Sequence, residues 1–215
     1  MPPGFRLIPA ALDAAAQAAL VAEVEALAAA APFRRYDTPW GKPMSVEMTS
    51  WGPCGWTSSR AGYRYTDADP LTGAPWPPMP AVLLELWRAH ARCETPPDSA
   101  LVNRYRGAAR MGLHQDRDEE AQGAPVLSVS LGDTAVFRVG GPSRADPTST
   151  VRLASGDLCV LEGAGRLAFH GVDRTLAGSS RLVPGGGRLN VTLRRARAPL
   201  GLDPNREGAS EVDGQ

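Results

Sequence analysis

The seven residues LHQDRDE, 113–119, put His114 and Asp116 two positions apart just upstream of a β-patterned stretch. In an extended strand, residues two apart point to the same side, so an imidazole and a carboxylate aim at one point while Gln115 turns away. Such a pair suits a metal ion once a third ligand joins it. The chain has 3 histidines, which leaves His90 and His170 as candidates. His90 falls in LLELWRAHAR, whose spacing reads as a helix with that residue partly exposed. His170 ends the strand-like RLAFH before Gly171, where a strand end can present a ligand. HxD…H is the two-histidine, one-carboxylate facial triad of non-haem Fe(II) oxygenases, which keeps three adjacent positions for a chelating co-substrate and O2. The spacing alone also fits a histidine and an aspartate that hydrogen-bond within a loop.

A second constellation bears on that choice. In RLNVTLRR, 188–195, Arg188, Asn190, Thr192 and Arg194 alternate with Leu189, Val191 and Leu193. One face carries two guanidinium groups around an amide and a hydroxyl; the other is apolar. An exposed amphipathic strand has the same alternation. A dicarboxylic ligand inside a barrel needs this arrangement, because arginine makes charge-assisted bidentate bonds to a carboxylate. A zinc hydrolase could use His2Asp but has no use for Arg188 and Arg194.

These residues need elements to position them. Asp13 to Ala30 reads as an alanine-rich helix capped by Asp13 and stopped by Pro32, with Leu20, Val24 and Leu27 on one face. A second helix fits Pro80 to Arg92, where Val82, Leu83, Leu86 and Trp87 recur at helical spacing. Between them, residues 33–80 are rich in loops and aromatics, with weak strand patterns at Ser45–Thr49 and Tyr63–Thr66. From residue 99 the texture turns to short strands punctuated by Gly and Pro: ALVNRY, APVLSVSLG, TAVFRVG, VRLASG, DLCVLEG, RLAFHGV and RLNVTLRR. Helices followed by such a run make the class α+β, with an antiparallel sandwich or barrel.

Bulk properties bound the function. The 215 residues are 43% hydrophobic, enough for one buried core, and the formal net charge is zero, so no overall field draws in nucleic acid. All 23 basic residues but Lys42 are arginine, a bias that a GC-rich genome also produces. Cys54, Cys93 and Cys159 are odd in number and lack a CxxC pair, which suggests neither a disulfide framework nor a thiolate zinc site. The N-terminus lacks signal-peptide order, and no stretch approaches the roughly 20 apolar residues of a membrane span. The chain reads as a cytoplasmic protein without membrane contact, its tail from about Gly201 polar and disordered.

HxD…H and RxNxTxR together make the sequence resemble the AlkB family of Fe(II)- and 2-oxoglutarate-dependent dioxygenases. The resemblance includes NRY (103–105), LHQDRDE, PVLSVSLG (125–132), GGPSRADP (140–147), FHGV (169–172) and RLNVTLRR. Upstream, GWTSSRAGYRY (55–65) and PWPPMP (75–80) also fit, so it covers about residues 40–195. It implies a double-stranded β-helix (jelly roll) core with N-terminal helices and a nucleotide-recognition lid. The expected division is an N-terminal helix over 1–32, the lid over 33–80, a helix plus the catalytic core over 81–198, and a flexible tail over 199–215. The resemblance further implies that His114, Asp116 and His170 bind iron, and that Arg188 pairs with the distal carboxylate of 2-oxoglutarate. Arg194 would sit near its other end, with Asn103, Tyr105 and Asn190 adding hydrogen bonds.

On the substrate side, the resemblance assigns Trp56 to stacking on a flipped base opposite the His114 ring. It gives Asp118 to the exocyclic amine of that base, and Tyr63 and Arg144 to the nucleic-acid backbone or base edge. Arg34, Arg35, Arg60 and Arg64 are candidates for phosphate contacts. Leu161 stands where some relatives place a tryptophan. The implied reaction is oxidative demethylation of 1-methyladenine or 3-methylcytosine in DNA, with single strands preferred, consuming O2 and releasing formaldehyde, succinate and CO2. A monomer is expected. The same chemistry on RNA or tRNA bases is the alternative, beside a non-catalytic nucleic-acid binder, which ought to have lost an iron ligand or a co-substrate arginine.

Overall fold

The computed structural model describes residues 1–197. In chain order its elements are β1 (Phe5–Ile8), α1 (Ala14–Ala30), β2 (Glu47–Trp51), β3 (Gly55–Ser59), β4 (Gly62–Thr66), α2 (Ala81–His90), β5 (Ser99–Tyr105), β6 (Met111–His114), β7 (Val126–Gly132), β8 (Ala135–Val139), β9 (Ser149–Leu153), β10 (Leu158–Leu161), β11 (His170–Thr175) and β12 (Arg188–Arg194). A larger sheet runs β1-β10-β7-β12-β5-β2 and a smaller one β6-β11-β8-β9, each antiparallel throughout. The pair β3-β4 forms a separate hairpin.

The alternation in β12 decides what each face of the larger sheet does. Leu189, Val191 and Leu193 face outward and pack under the two helices against Leu20, Val24, Leu83 and Trp87. Burying side chains of this size contributes about 1.5–3 kcal/mol each. On the inner face, Leu101, Val126 and Leu161 meet Phe137, Val151 and Val172 of the smaller sheet. Two antiparallel sheets closed over a shared interior form the expected jelly roll. Helix α1 starts as its sequence dictates: the Asp13 side chain accepts from the Ala16 N–H at 2.8 Å.

Several boundaries differ from the sequence reading. His170 begins β11 instead of ending a strand, because residues 163–165 form a short 3-10 turn and the ladder starts only at His170. It is still a strand end, which is what presents the side chain. Strand β1 carries no recognisable alternation and forms by pairing with β10. Strand β3 completes the hairpin with the expected β4. Within 33–80, β2 is not loose cover: it pairs with β5 as the edge of the larger sheet. Gly55 admits Trp76, since a Cβ there would lie 2.3 Å from the indole ring. The expected tail lies outside the described residues.

Candidate metal centre and substrate cavity

Strands β6 and β11 are neighbours, and their register sets His114 directly opposite His170. The two rings lie 4.5 Å apart between centroids. Asp116 lies two residues past the end of β6 and is buried at 7% exposure. Its Oδ1 lies 3.7 Å from His114 Nε2, and its Oδ2 lies 3.9 Å from His170 Nε2. One ligand atom from each of the three falls within 4.8 Å of the others, the one such group of metal-ligating side chains among the described residues. Gln115 turns away, donating to the carbonyls of Pro142 and Leu167. His90 is half-buried on α2, where its carbonyl accepts from Arg6.

The ring nitrogens are prepared for a metal. His114 Nδ1 sits 2.9 Å from the Gly112 carbonyl and His170 Nδ1 sits 2.9 Å from the Ala168 carbonyl. A carbonyl only accepts, so each Nδ1 carries the proton and each Nε2 keeps its lone pair for the ion. Burial, with His114 nearby, pushes the His170 pKa down to about 4, which keeps that ring neutral at physiological pH. Burial works to raise the Asp116 carboxyl, but Arg194 and the two histidines outweigh it and hold it below the usual carboxylate range.

Arg188, Asn190, Thr192 and Arg194 all face the cavity, and Asn103 and Tyr105 on β5 join them opposite Asn190 and Arg188. Arg188 is fully buried. It donates to Ser130 Oγ at 2.8 Å and Asn190 Oδ1 at 3.2 Å, and more weakly to the carbonyls of Asp133 and Leu153. Among the described residues, no carboxylate lies within ion-pair distance of it. A buried guanidinium without a counter-charge is costly unless an anion completes it. Three buried atoms here also lack partners: Arg188 Nε, Asn103 Oδ1 and Arg194 Nη1. Burial pushes the Tyr105 phenol up to about 12 against the pull of Arg188, so it stays a neutral donor. Donors and cations of this kind fit a dicarboxylate beside a metal.

The cavity of about 740 Å³ is also lined by Trp56, Tyr63, Asp118 and Arg144. Trp56 Nε1 donates to Asp118 Oδ2 at 3.1 Å. Its indole stacks on Tyr63, with centroids 5.2 Å apart, and meets the Tyr36 ring edge-to-face at 5.8 Å. Arg144 is exposed, donates to the Leu113 carbonyl at 3.0 Å and lies over Phe169. Of the four further arginines, Arg35, Arg60 and Arg64 are exposed, whereas Arg34 is ion-paired with buried Asp69 and braces the segment instead of facing solvent. Leu161 is buried in the cavity wall.

A group that sequence reasoning misses underlies the triad. Glu119, 4% exposed, accepts from Tyr65 OH at 2.6 Å and Arg166 Nη2 at 3.1 Å, and lies 3.2 Å from Arg194 Nε. Arg166 also donates to the Asp116 carbonyl. In the sequence, Glu119 looks like one more solvated charge in a charged run. The usable signal is Tyr65, two residues from Tyr63 and therefore on the same face of its strand.

The sequence model of the 2OG-Fe(II) oxygenase superfamily matches residues 4–194. The chain is 65% identical over 195 residues to the alpha-ketoglutarate-dependent dioxygenase AlkB homolog of Caulobacter vibrioides, covering 91% of this chain and 89% of that protein. This protein belongs to the AlkB family. It is 42% identical over 181 residues to AlkB of Escherichia coli, covering 82% of this chain and 83% of that protein. The solved structure of OsALKBH1 superposes with a TM-score of 0.75 at 33% identity, covering 90% of this chain and 99% of that one. Like the family, this protein is a dioxygenase that requires Fe(II), 2-oxoglutarate and O2, with His114, Asp116 and His170 as its metal-binding triad.

Proposed function

We propose that this AlkB-family dioxygenase repairs DNA in the cytoplasm by demethylating N-alkylated bases such as 1-methyladenine and 3-methylcytosine, with single strands preferred. One observation carries the reading: Trp56 and Asp118, hydrogen-bonded to each other, line the same cavity as the metal triad. An aromatic face and a carboxylate together recognise a flat, positively charged ring. Aromatic stacking contributes about 1–3 kcal/mol per base. A carboxylate adds charge pairing that an unmethylated, neutral base does not earn.

Iron with 2-oxoglutarate and O2 supplies the oxidation of an N-methyl C–H to a hydroxymethyl group, which leaves as formaldehyde while the co-substrate ends as succinate and CO2. The remaining roles fall to the chain. Arg188, with Asn103, Tyr105 and Asn190 around it, binds the distal carboxylate of 2-oxoglutarate. Arg194 holds Asp116 and meets the co-substrate's near end. Trp56 stacks on the extruded base, Asp118 meets its exocyclic amine, and Tyr63 and Arg144 contact the flanking strand. Unpairing a base costs a few kcal/mol, and a methyl group on the pairing edge has already removed most of that cost.

The test is turnover of a single-stranded oligonucleotide carrying either lesion, with Fe(II), 2-oxoglutarate and O2, reading base mass and formaldehyde. A His114→Ala variant serves as control, and the same sequence in RNA is the comparison. Demethylation that is lost in the control supports the reading. Succinate formed while the base keeps its methyl group sinks the substrate assignment, and faster turnover of the RNA would move the substrate to RNA.

A further inference from the structure

The connection from β11 to β12, residues 176–187, folds back onto a buried aspartate, Asp133. Asp133 stands in the two-residue turn between β7 and β8 and is 2% exposed. Its carboxylate is held by this loop. Oδ1 accepts from the Ser180 N–H at 3.0 Å and from Ser179 Oγ at 3.4 Å, and Oδ2 from the Gly178 N–H at 3.3 Å. Ser179 Oγ in turn accepts from the Thr134 N–H at 2.8 Å, and the Leu176 N–H donates to the Thr134 carbonyl at 2.8 Å. Val183, 3% exposed, ties the far part of the loop into the core cluster that holds Leu131 and Leu189.

The backbone of the same aspartate meets Arg188. The Asp133 N–H donates to the Gly187 carbonyl at 2.8 Å, and the Asp133 carbonyl accepts from Arg188 Nη1 at 3.4 Å. In the sheet, Arg188 lies between Tyr105 on β5 and Gly132 on β7. The loop enters that slot only as glycine. Gly187 has φ +95°, and a Cβ there would lie 2.4 Å from the Tyr105 carbonyl oxygen, while a Cβ at Gly132 would lie 2.5 Å from the Gly187 carbonyl oxygen. Bound to three loop donors, the Asp133 carboxylate forms no ion pair with Arg188, so the guanidinium keeps its charge for a ligand.

We propose that Asp133 is a positioning residue for the co-substrate: it pins the 176–187 loop beside Arg188 and thereby sets that guanidinium in place for the distal carboxylate of 2-oxoglutarate. The inference rests on the co-substrate reading of Arg188 above. An arginine already fixed loses little side-chain freedom when the carboxylate arrives, so the contact is not offset by ordering.

Calorimetry on the Mn(II)-loaded protein measures Kd for 2-oxoglutarate and for oxalate, whose two carboxylates both chelate the metal and leave none for Arg188. Expected for Asp133→Ala is a rise of about tenfold in Kd for 2-oxoglutarate, with Kd for oxalate within about twofold. Ser179→Ala removes only the hydroxyl between Asp133 and Thr134 and should raise the 2-oxoglutarate constant about threefold. A role confined to stability would lower the melting temperature and leave the ratio of the two constants alone. An unchanged ratio in Asp133→Ala, or in Ser179→Ala where the first variant does not fold, overturns the proposal. Arg188→Met separates it from the reading beneath. Lost 2-oxoglutarate affinity there, with none lost in Asp133→Ala, overturns the proposal alone, whereas full affinity in Arg188→Met takes the co-substrate from Arg188 and removes both.

Discussion

Arg194 grips Asp116 by a single oxygen: Nε at 3.1 Å and Nη2 at 2.8 Å both donate to Oδ2. Oδ1 is left on the His114 side, 3.7 Å from Nε2. The arginine thereby fixes the carboxylate's orientation as well as its charge. Partners that orient a metal ligand in this way are typically worth about 10–100-fold in metal affinity.

Arg194→Met should therefore weaken Mn(II) or Fe(II) binding by about 10–100-fold in a direct titration. It should also destabilise the fold by about 3–5 kcal/mol, because Asp116 stays buried without its cation. The pH dependence changes with it. In the wild type the folded Asp116 pKa lies below the unfolded value, so its stabilisation is present above about pH 3.9 and is lost as pH falls through the folded pKa. The variant should lose that acid-side decline, which a series of melting curves from about pH 2 to 5 would show.

Arg188 makes the opposite case, a buried cation with no carboxylate partner among the described residues. Arg188→Met should leave the melting temperature without ligand unchanged or raised, since an uncompensated charge is removed. The wild type with Mn(II) and 2-oxoglutarate at about 100 times Kd should gain about 2.7 kcal/mol, or roughly 5–11 °C for a chain of this size. The variant should lose the 2-oxoglutarate increment. A full shift in Arg188→Met would remove Arg188 from the co-substrate site.

The features legible in the sequence are those that obey a short period. Residues two apart share a strand face, which makes the His114–Asp116 pair and the Arg188 to Arg194 face visible without coordinates. The helix under Leu83 and Trp87 shows itself by its 3.6-residue repeat. Contacts closed by tertiary folding leave no such trace. Glu119 meets Tyr65 across 54 positions and Arg166 across 47, and neither separation has a period. Strand β1 exists because β10 offers it an edge, and the 3-10 turn at 163–165 hides where β11 begins. Trp56 is legible as an aromatic near the metal, but not the fact that its indole stacks on Tyr63.

Glu119 joins the β3-β4 hairpin to the metal site through the 2.6 Å bond from Tyr65. Tyr65→Phe should cost about 1 kcal/mol in stability, the net value of one buried hydrogen bond. Glu119→Gln should cost more, about 3–5 kcal/mol, since Arg166 and Arg194 lose a shared counter-charge. Chemical denaturation of both variants tests the ordering. If Glu119→Gln is the milder of the two, the carboxylate does not anchor the pair of arginines.

Burial pushes the thiols of Cys54 and Cys159 each up to about 12, while Cys93 is half-buried. At pH 8 a thiol-specific reagent should modify Cys93 and spare the other two until the protein unfolds, which mass spectrometry would read directly. The sign for stability follows. A folded pKa above the unfolded value near 8.5 leaves the protein fully stabilised below that pH. Stability then falls by about 1.4 kcal/mol per pH unit for Cys159 as pH rises towards 12. Cys159→Val should flatten this alkaline decline.

Asp118 offers the sharpest test of the substrate. Its carboxylate is exposed and held by Trp56 at 3.1 Å. Asp118→Asn keeps the shape and an oxygen that can accept from both Trp56 and an exocyclic amine, so what it removes is charge. A cationic lesion such as 1-methyladenine should feel the change and a neutral one such as N6-methyladenine should not. Expected is a fall of about tenfold in kcat/KM for the cationic base, within about twofold for the neutral base, and a smaller loss on the cationic base at high salt, where the wild type's charge pairing is already screened. Equal losses on both bases would make Asp118 a hydrogen-bond acceptor only, and no loss on either would place the base elsewhere in the cavity.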